Sequence, residues 1–148
     1  MSLYTFLASD SPLPTVKATA GYPLNINVDT GVIYDGDADD NFSLYKFRDV
    51  EMYTGKKYGV WLEWRYTDGR AEKLIQYIRG NLNNTDCIEL WHVWMTDYYE
   101  YDERPVIHKN TVSIDRITVV DIKELVNREV WKNRDSARPH HYCIEIVK

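Results

Sequence analysis

The sequence predicts an α+β domain with a ferredoxin-like β-α-β-β-α-β core over residues 58–148. Three observations lead to this prediction. Two long runs of aromatic and β-branched residues, 58–66 and 87–95, are typical of strands inside a sheet. Two segments carry apolar residues on one helical face. Shorter strand-like runs supply the other two strands of the β-α-β-β-α-β order. Residues 1–57 are expected to add a β-rich extension to a mostly antiparallel sheet, within a single domain.

The N-terminal extension is predicted to consist of short strands separated by loops. The alternation of Leu24, Ile26 and Val28 with polar residues, followed by a Thr-Gly pair, is typical of a small hairpin. A loop rich in proline is expected between the first two strands. The expected strands are residues 4–8, 24–28, 32–34 and 42–47.

Two helices are predicted in the core, both on one face of the sheet. The first is expected over residues 69–81 with Asp68 as its N-cap. The second begins after Thr118, which forms a capping-box pattern with Asp121. Its apolar face is Val119, Ile122, Leu125 and Val126. The remaining core strands are expected over residues 105–114 and 141–147.

Composition limits the classes of function. The chain has 148 residues and a formal net charge of −5. Residues 1–103 hold 9 Lys and Arg against 17 Asp and Glu, so nucleic-acid binding is not expected. There is no apolar run of ~18 residues and no basic leader pattern, which favours a cytoplasmic protein away from membranes. Cys87 and Cys143 lie in strand-like runs and are expected to be buried thiols.

Two acidic motifs are considered as catalytic or metal sites. Asp29-Thr30-Gly31 matches the short triplet of aspartic proteases, but a hairpin turn explains the same residues. In the loop that follows, Asp35, Asp37 and Asp39 have the spacing of a calcium loop. That loop would require Gly at position 40 and Glu at position 46, where the chain has Asp and Lys. We therefore predict a solvated loop and no cofactor, and the alternative is a looser calcium site at Asp35, Asp37 and Asp39.

A basic cluster near the C-terminus is a candidate anion or ligand site. We expect its members to be His92, Arg134, Arg138 and His141. Arginine forks bind phosphate and carboxylate groups, and the fold can bring His92 close to the last strand. The alternative is that these cations complement a helix dipole and that each histidine is buried in the core.

A tyrosine-rich loop is a candidate protein interface. It comprises Tyr98, Tyr99, Glu100, Tyr101 and Asp102. Tyrosine is enriched at binding hot spots, and an acidic loop suits a partner with a basic surface. Packing of these rings against the N-terminal segment explains the same composition without an interface.

Three stretches of the sequence carry a family resemblance. They are residues 2–9 (SLYTFLAS), residues 29–31 (DTG) with residues 34–41 (YDGDADDN), and residues 89–94 (ELWHVW). Together they resemble a family of small proteins from low-GC Gram-positive bacteria, over most of the chain. The resemblance implies a bacterial cytosolic protein. It implies no activity, substrate or catalytic residue.

The absence of a complete catalytic motif in the sequence favours a non-enzymatic protein-interaction module. Its size and acidity are comparable to those of immunity or antitoxin-like proteins, which is an analogy of charge and length only. The alternative is a small-ligand-binding protein or enzyme that uses a His/Arg/Asp pocket. The oligomeric state remains open.

Overall fold

The computed structural model describes residues 2–17, 25–27, 29, 32–34, 42–95, 104–131 and 138–148. The strands are β1 (Ser2–Ser9), β2 (Asn25–Asn27), β3 (Val32–Tyr34), β4 (Ser43–Lys46), β5 (Tyr58–Glu63), β6 (Cys87–Met95), β7 (Val106–Ser113) and β8 (His140–Val147). The α-helices are α1 (Asp68–Asn81) and α2 (Val119–Val126), and a short 3₁₀ helix covers Arg48–Met52. Neither α-helix has the length and apolar character needed to cross a membrane.

Six strands form one sheet in the order β4-β5-β1-β6-β8-β7. Neighbouring strands are antiparallel, apart from the parallel pair β7-β8. β2 and β3 pair separately as a small antiparallel sheet, with Ile26 opposite Ile33, as the hairpin pattern predicts. The predicted α+β class and the mostly antiparallel sheet are confirmed.

The ferredoxin-like arrangement is not confirmed. In that fold, a split βαβ unit leaves a gap between its two parallel strands that another strand fills. Here only β5-α1-β6 is split, and the strand in its gap is β1, whereas β7 and β8 are direct neighbours. β1 is therefore a central strand rather than part of an extension. The physical reason is that Phe6, Leu7 and Ala8 are all fully buried, which requires cover on both faces of the sheet.

Local hydrogen bonds define where both helices begin. The Thr67 hydroxyl accepts the backbone N–H of Arg70 at 3.1 Å, so the N-cap of α1 is Thr67 and not the predicted Asp68. In α2 the backbone N–H of Thr118 donates to the Asp121 carboxylate at 2.8 Å. This contact confirms the capping box predicted from the sequence.

Both helices pack on one side of the sheet, which we call the helix face. Leu7, Leu90 and Ile144 from three neighbouring strands form one buried cluster with Leu74 of α1 and Ile122 of α2. Residues two apart in a strand share a face, so the strands contribute alternate side chains to this cluster. The prediction that both helices lie on one face is confirmed.

The opposite side of the sheet, which we call the loop face, is covered by residues 47–57. Its cluster includes Phe6, Trp91 and Val50. Gly59 of β5 permits this close approach, because a Cβ there would lie 3.0 Å from the Val50 side chain. The sheet therefore carries two separate cores, and the sites below lie at their edges.

Candidate functional site

A row of polar side chains crosses the helix face. The strand register places Thr5 opposite His92, His92 opposite Tyr142, and Tyr142 opposite His108. The Thr5 hydroxyl lies 3.3 Å from Nδ1 of His92. The Tyr142 and His108 rings are nearly parallel, with centroids 4.8 Å apart. The row runs from the buried centre of the sheet to the exposed His108 on the edge strand β7.

Two imidazoles are joined at the outer end of this row. Nε2 of His108 lies 2.9 Å from Nδ1 of His140, and the ring planes differ by 16°. One ring must donate and the other accept, because an N–H···N bond needs one protonated nitrogen. His140 is buried while His108 faces solvent, so the pair presents one exposed imidazole whose orientation its neighbour holds.

The chain that follows α2 covers the same end of the row. The guanidinium carbon of Arg128 lies 5.8 Å from the centroid of the Tyr142 ring. The Tyr142 hydroxyl donates to the backbone carbonyl of Glu129 at 3.1 Å. The backbone N–H of His140 donates to the backbone carbonyl of Val130. These contacts place a cation over the Tyr142 ring, against which the His108 ring also stacks.

A groove of about 360 Å³ opens between α2 and the strands β7 and β8. It forms at the edge of the sheet, where β7 has no further strand beside it within the described part of the chain. The side chains on the helix face that line it are His108, Asn110, Val112, Tyr142 and Ile144 from the strands, and Asp121, Glu124, Leu125 and Arg128 from the helix side. Its volume is within the range of small-molecule sites, and its lining combines apolar and charged groups.

The loop face carries a second polar cluster, centred on the buried carboxylate of Glu89. This carboxylate accepts a hydrogen bond from the Thr54 hydroxyl, one from Trp91 Nε1 at 3.2 Å and one from Lys109 Nζ at 3.0 Å. The same Lys109 ammonium lies 3.5 Å from Glu145. Burial raises the pKa of Glu89, but these hydrogen bonds outweigh it and hold the pKa below its usual range. The cluster ties the covering segment 47–57 to the sheet.

The two thiols lie on the loop face as well. Cys87 is half-buried, Cys143 is buried, and neither forms a disulfide. Burial raises the pKa of both, so each is held as a neutral thiol. They are therefore poor candidates for a nucleophile.

The histidines predicted to form an anion site point away from each other. His92 lies on the helix face beside Thr5, whereas His141 lies on the loop face, where its ring centroid is 5.7 Å from that of Tyr53. Burial lowers the pKa of His92, with a partial offset from the Arg128 backbone. Burial and the proximity of His92 lower the pKa of His141 to about 4. Both rings are held neutral near pH 7.

Most other predicted site residues lie outside the described residues. Arg138, half-buried just before β8, is described, whereas Arg134 is not. The interface candidates Tyr98, Tyr99, Glu100, Tyr101 and Asp102 and the acidic candidates Asp35, Asp37 and Asp39 are outside as well. Of the Asp-Thr-Gly triplet, only the exposed Asp29 is described, in a turn. Within the described ranges, no three His, Cys, Asp or Glu side chains form a group that could hold a metal.

The sequence alone does not identify the groove residues as a group. His108 and Tyr142 are two of many polar residues in strand-like runs, and Arg128 is one of several cations after the second helix. The signal that the strand residues share is their spacing of two positions, which places them on one face of a strand. His108 and Asn110 have this spacing in one strand, and His140, Tyr142 and Ile144 have it in the other. That signal becomes informative once β7 and β8 are known to pair in parallel.

No protein-family model matches the chain, and comparisons with curated proteins and with solved structures give no match either.

Proposed function

We propose that this protein binds a small negatively charged molecule in the groove between α2, β7 and β8. One observation carries the proposal: the Arg128 guanidinium is held over Tyr142 at the groove end where the exposed His108 lies. A guanidinium at one end of a groove suits a carboxylate or phosphate group as its ligand.

The surroundings of Arg128 support this assignment. Within the described part of the chain, its guanidinium has the Tyr142 ring as a neighbour but forms no ion pair with a carboxylate. The other groove cation, Lys109, has its ammonium on the loop face, where Glu89 and Glu145 neutralise it. An anion that enters the groove therefore meets Arg128 as its principal positive charge.

A thermal-shift and NMR titration panel tests the proposal. The panel contains acetate, benzoate, inorganic phosphate and a short peptide, each added to the wild type, Arg128→Ala and Lys123→Ala. Lys123 is a matched control, because it lies on the outer flank of α2 and does not line the groove. A ligand at about 100 times its dissociation constant adds about 2.7 kcal/mol to the free energy of unfolding.

We expect at least one anion to shift the melting temperature of the wild type and of Lys123→Ala, and to lose about tenfold in affinity in Arg128→Ala. Equal binding to Arg128→Ala and the wild type would place the anion elsewhere and refute the proposal. A panel without any response in the groove resonances would refute it too.

Protein interaction is a second candidate function, and an aromatic strip favours it. On the loop face, outside the segment 47–57, Trp61 contacts Tyr45 and Tyr4 with ring centroids 4.8 and 5.8 Å apart. Tyr45 is 40% exposed, and exposed aromatic side chains are enriched at interfaces. The predicted interface at residues 98–102 stays a prediction.

A pull-down tests this second function. Tyr45→Ala should lose a captured partner that Tyr58→Ala retains, since Tyr58 is similarly exposed at 42% but lies outside the strip. Capture of the same proteins by both variants would exclude the strip as the interface.

A further inference from the structure

The groove has two ends of opposite charge. In the unit β7-α2-β8 the helix runs back along the strands, so α2 begins near the end of β7 and finishes above Tyr142. The basic end holds Arg128 and His108. The acidic side of the lining, Asp121 and Glu124, lies earlier on α2 and therefore towards the opposite end of the groove.

The charged residues of the two ends are separated along the axis of α2. Glu124 precedes Arg128 by four residues and Asp121 precedes it by seven. α2 ends at Val126, and the backbone N–H of Arg128 donates to the Leu125 carbonyl in the turn that follows. At a rise of about 1.5 Å per residue, the backbone positions lie about 6 and about 10 Å apart along the axis.

The middle of the groove is suited to an uncharged segment. Leu125, Ile144 and Val112 supply apolar surface, and the exposed Asn110 supplies an amide that can donate and accept. This combination is complementary to a peptide backbone that carries a small apolar side chain.

The carboxylates of Asp121 and Glu124 can each accept further hydrogen bonds from a ligand. Asp121 uses one carboxylate oxygen, Oδ2, to accept from the backbone N–H and the hydroxyl of Thr118. Glu124 is exposed and forms no ion pair within the described residues, although it lies one turn before Arg128. An ammonium group at this end would have carboxylate oxygens within its reach.

We propose that the ligand of this groove is a short peptide of two or three residues with both termini free. The inference rests on the proposed function and specifies its ligand class. The terminal carboxylate lies at Arg128 and His108, and the terminal ammonium lies at Glu124 and Asp121. An extended chain spans about 3.3–3.6 Å per residue, so two residues reach about 7 Å and three about 10 Å. These lengths are comparable to the two backbone separations along α2.

The test uses the tripeptide alanyl-leucyl-alanine in four forms: free, N-acetylated, C-amidated and blocked at both ends. Binding to the full-length chain is measured by calorimetry and by NMR titration. We expect the free peptide to bind and each single block to weaken binding about tenfold, since each removes a charged contact. Acetate serves as a simple anion control.

Paired variants assign each terminus to its end of the groove. In Arg128→Ala the free and amidated peptides should bind equally, and in Glu124→Gln the free and acetylated peptides should bind equally. Lys123→Ala should behave as the wild type. Loss of binding in Lys123→Ala would place the peptide on the outer flank of α2 and overturn the inference.

The outcomes separate this inference from the proposed function. If acetate and the acetylated peptide bind as well as the free peptide, and Arg128→Ala weakens both, the anion site stands and the peptide inference is wrong. If Arg128→Ala leaves every affinity unchanged, both are wrong.

Discussion

Charged side chains on the two faces of the sheet differ in whether they have partners within the protein. On the loop face, the buried Glu89 has three hydrogen-bond donors, one of them the ammonium of Lys109. At the edge of the helix face, Arg128 and Glu124 line a groove and form no ion pair within the described residues. A buried charge needs partners inside the protein, whereas a charge at an open groove keeps its capacity for a ligand.

This difference separates stability from binding. Changes on the loop face should lower the free energy of unfolding, because they leave buried polar groups without partners. Changes to the exposed charged side chains of the groove should reduce binding and affect folding little, because water already solvates those side chains. We therefore expect the largest change in the free energy of unfolding on the loop face and the smallest at the charged groove residues.

Acid should destabilise the protein through the loop face. The pKa of His141 is about 4 in the folded protein against 6.5 ordinarily. Between these values a falling pH protonates only the unfolded chain, so stability is complete above about pH 6.5 and decreases towards pH 4. The decrease due to this group is about 3 kcal/mol. Urea unfolding from pH 7 to pH 4.5 measures it.

The variant His141→Leu should show a flatter dependence over the same range. His92, whose pKa is also lowered, leaves a smaller slope in that variant. An unchanged slope in His141→Leu would show that other groups cause the acid sensitivity.

Glu89→Ala should lower the free energy of unfolding by about 2–3 kcal/mol. Trp91 Nε1 and the Thr54 hydroxyl would lose their acceptor, while the 39% exposed Lys109 could turn to solvent. Urea unfolding at pH 7 measures the change. Glu145→Ala is the control, because its 30% exposed carboxylate makes one long contact, and it should cost less than about 1 kcal/mol. Similar losses in both variants would contradict a specific role for Glu89.

Tyr142→Phe should cost about 1 kcal/mol of stability. It removes the hydrogen bond to the Glu129 carbonyl and keeps the ring below Arg128 and beside His108. Peptide affinity should change less than about twofold, since the ring still positions the guanidinium. A large loss of binding without a loss of stability would mean that the hydroxyl itself contacts the ligand.

Arg128→Ala should give the smallest change in stability, about 0.5 kcal/mol, although it gives a large loss of binding. An exposed cation–π contact contributes about 0.5–1 kcal/mol. Thermal unfolding without ligand measures the change. A loss above about 2 kcal/mol would place Arg128 among the structural residues and remove the contrast between the two faces.

Local patterns in the sequence predicted the elements well. The segment 87–95 is strand β6 as predicted, and Thr118 and Asp121 form the predicted cap. These features depend on neighbours within about four residues of each other. The position of β1 depends instead on pairing with β5 and β6, about 50 to 90 residues away in sequence. Its unbroken buried run, Phe6-Leu7-Ala8, was the signal for a central strand.

The site was less predictable for the same reason. His108, Tyr142 and Arg128 meet because β7 and β8 pair in one particular register and α2 ends above them. A shift of one residue in that register would move every side chain of β7 to the other face. The sequence does place His140 and His141 on opposite faces, and their contacts to His108 and Tyr53 agree with this.

The central position of β1 also determines the order in which the chain can fold. During synthesis, residues 2–9 must remain unpaired until β5 and β6 have emerged, about 50 and 80 residues later. Until then Phe6 and Leu7 lack the neighbouring strands that bury them. Contacts this distant in sequence slow folding, and such exposed strands favour aggregation. A stable protein bound or fused at β1 would therefore delay assembly of the whole sheet.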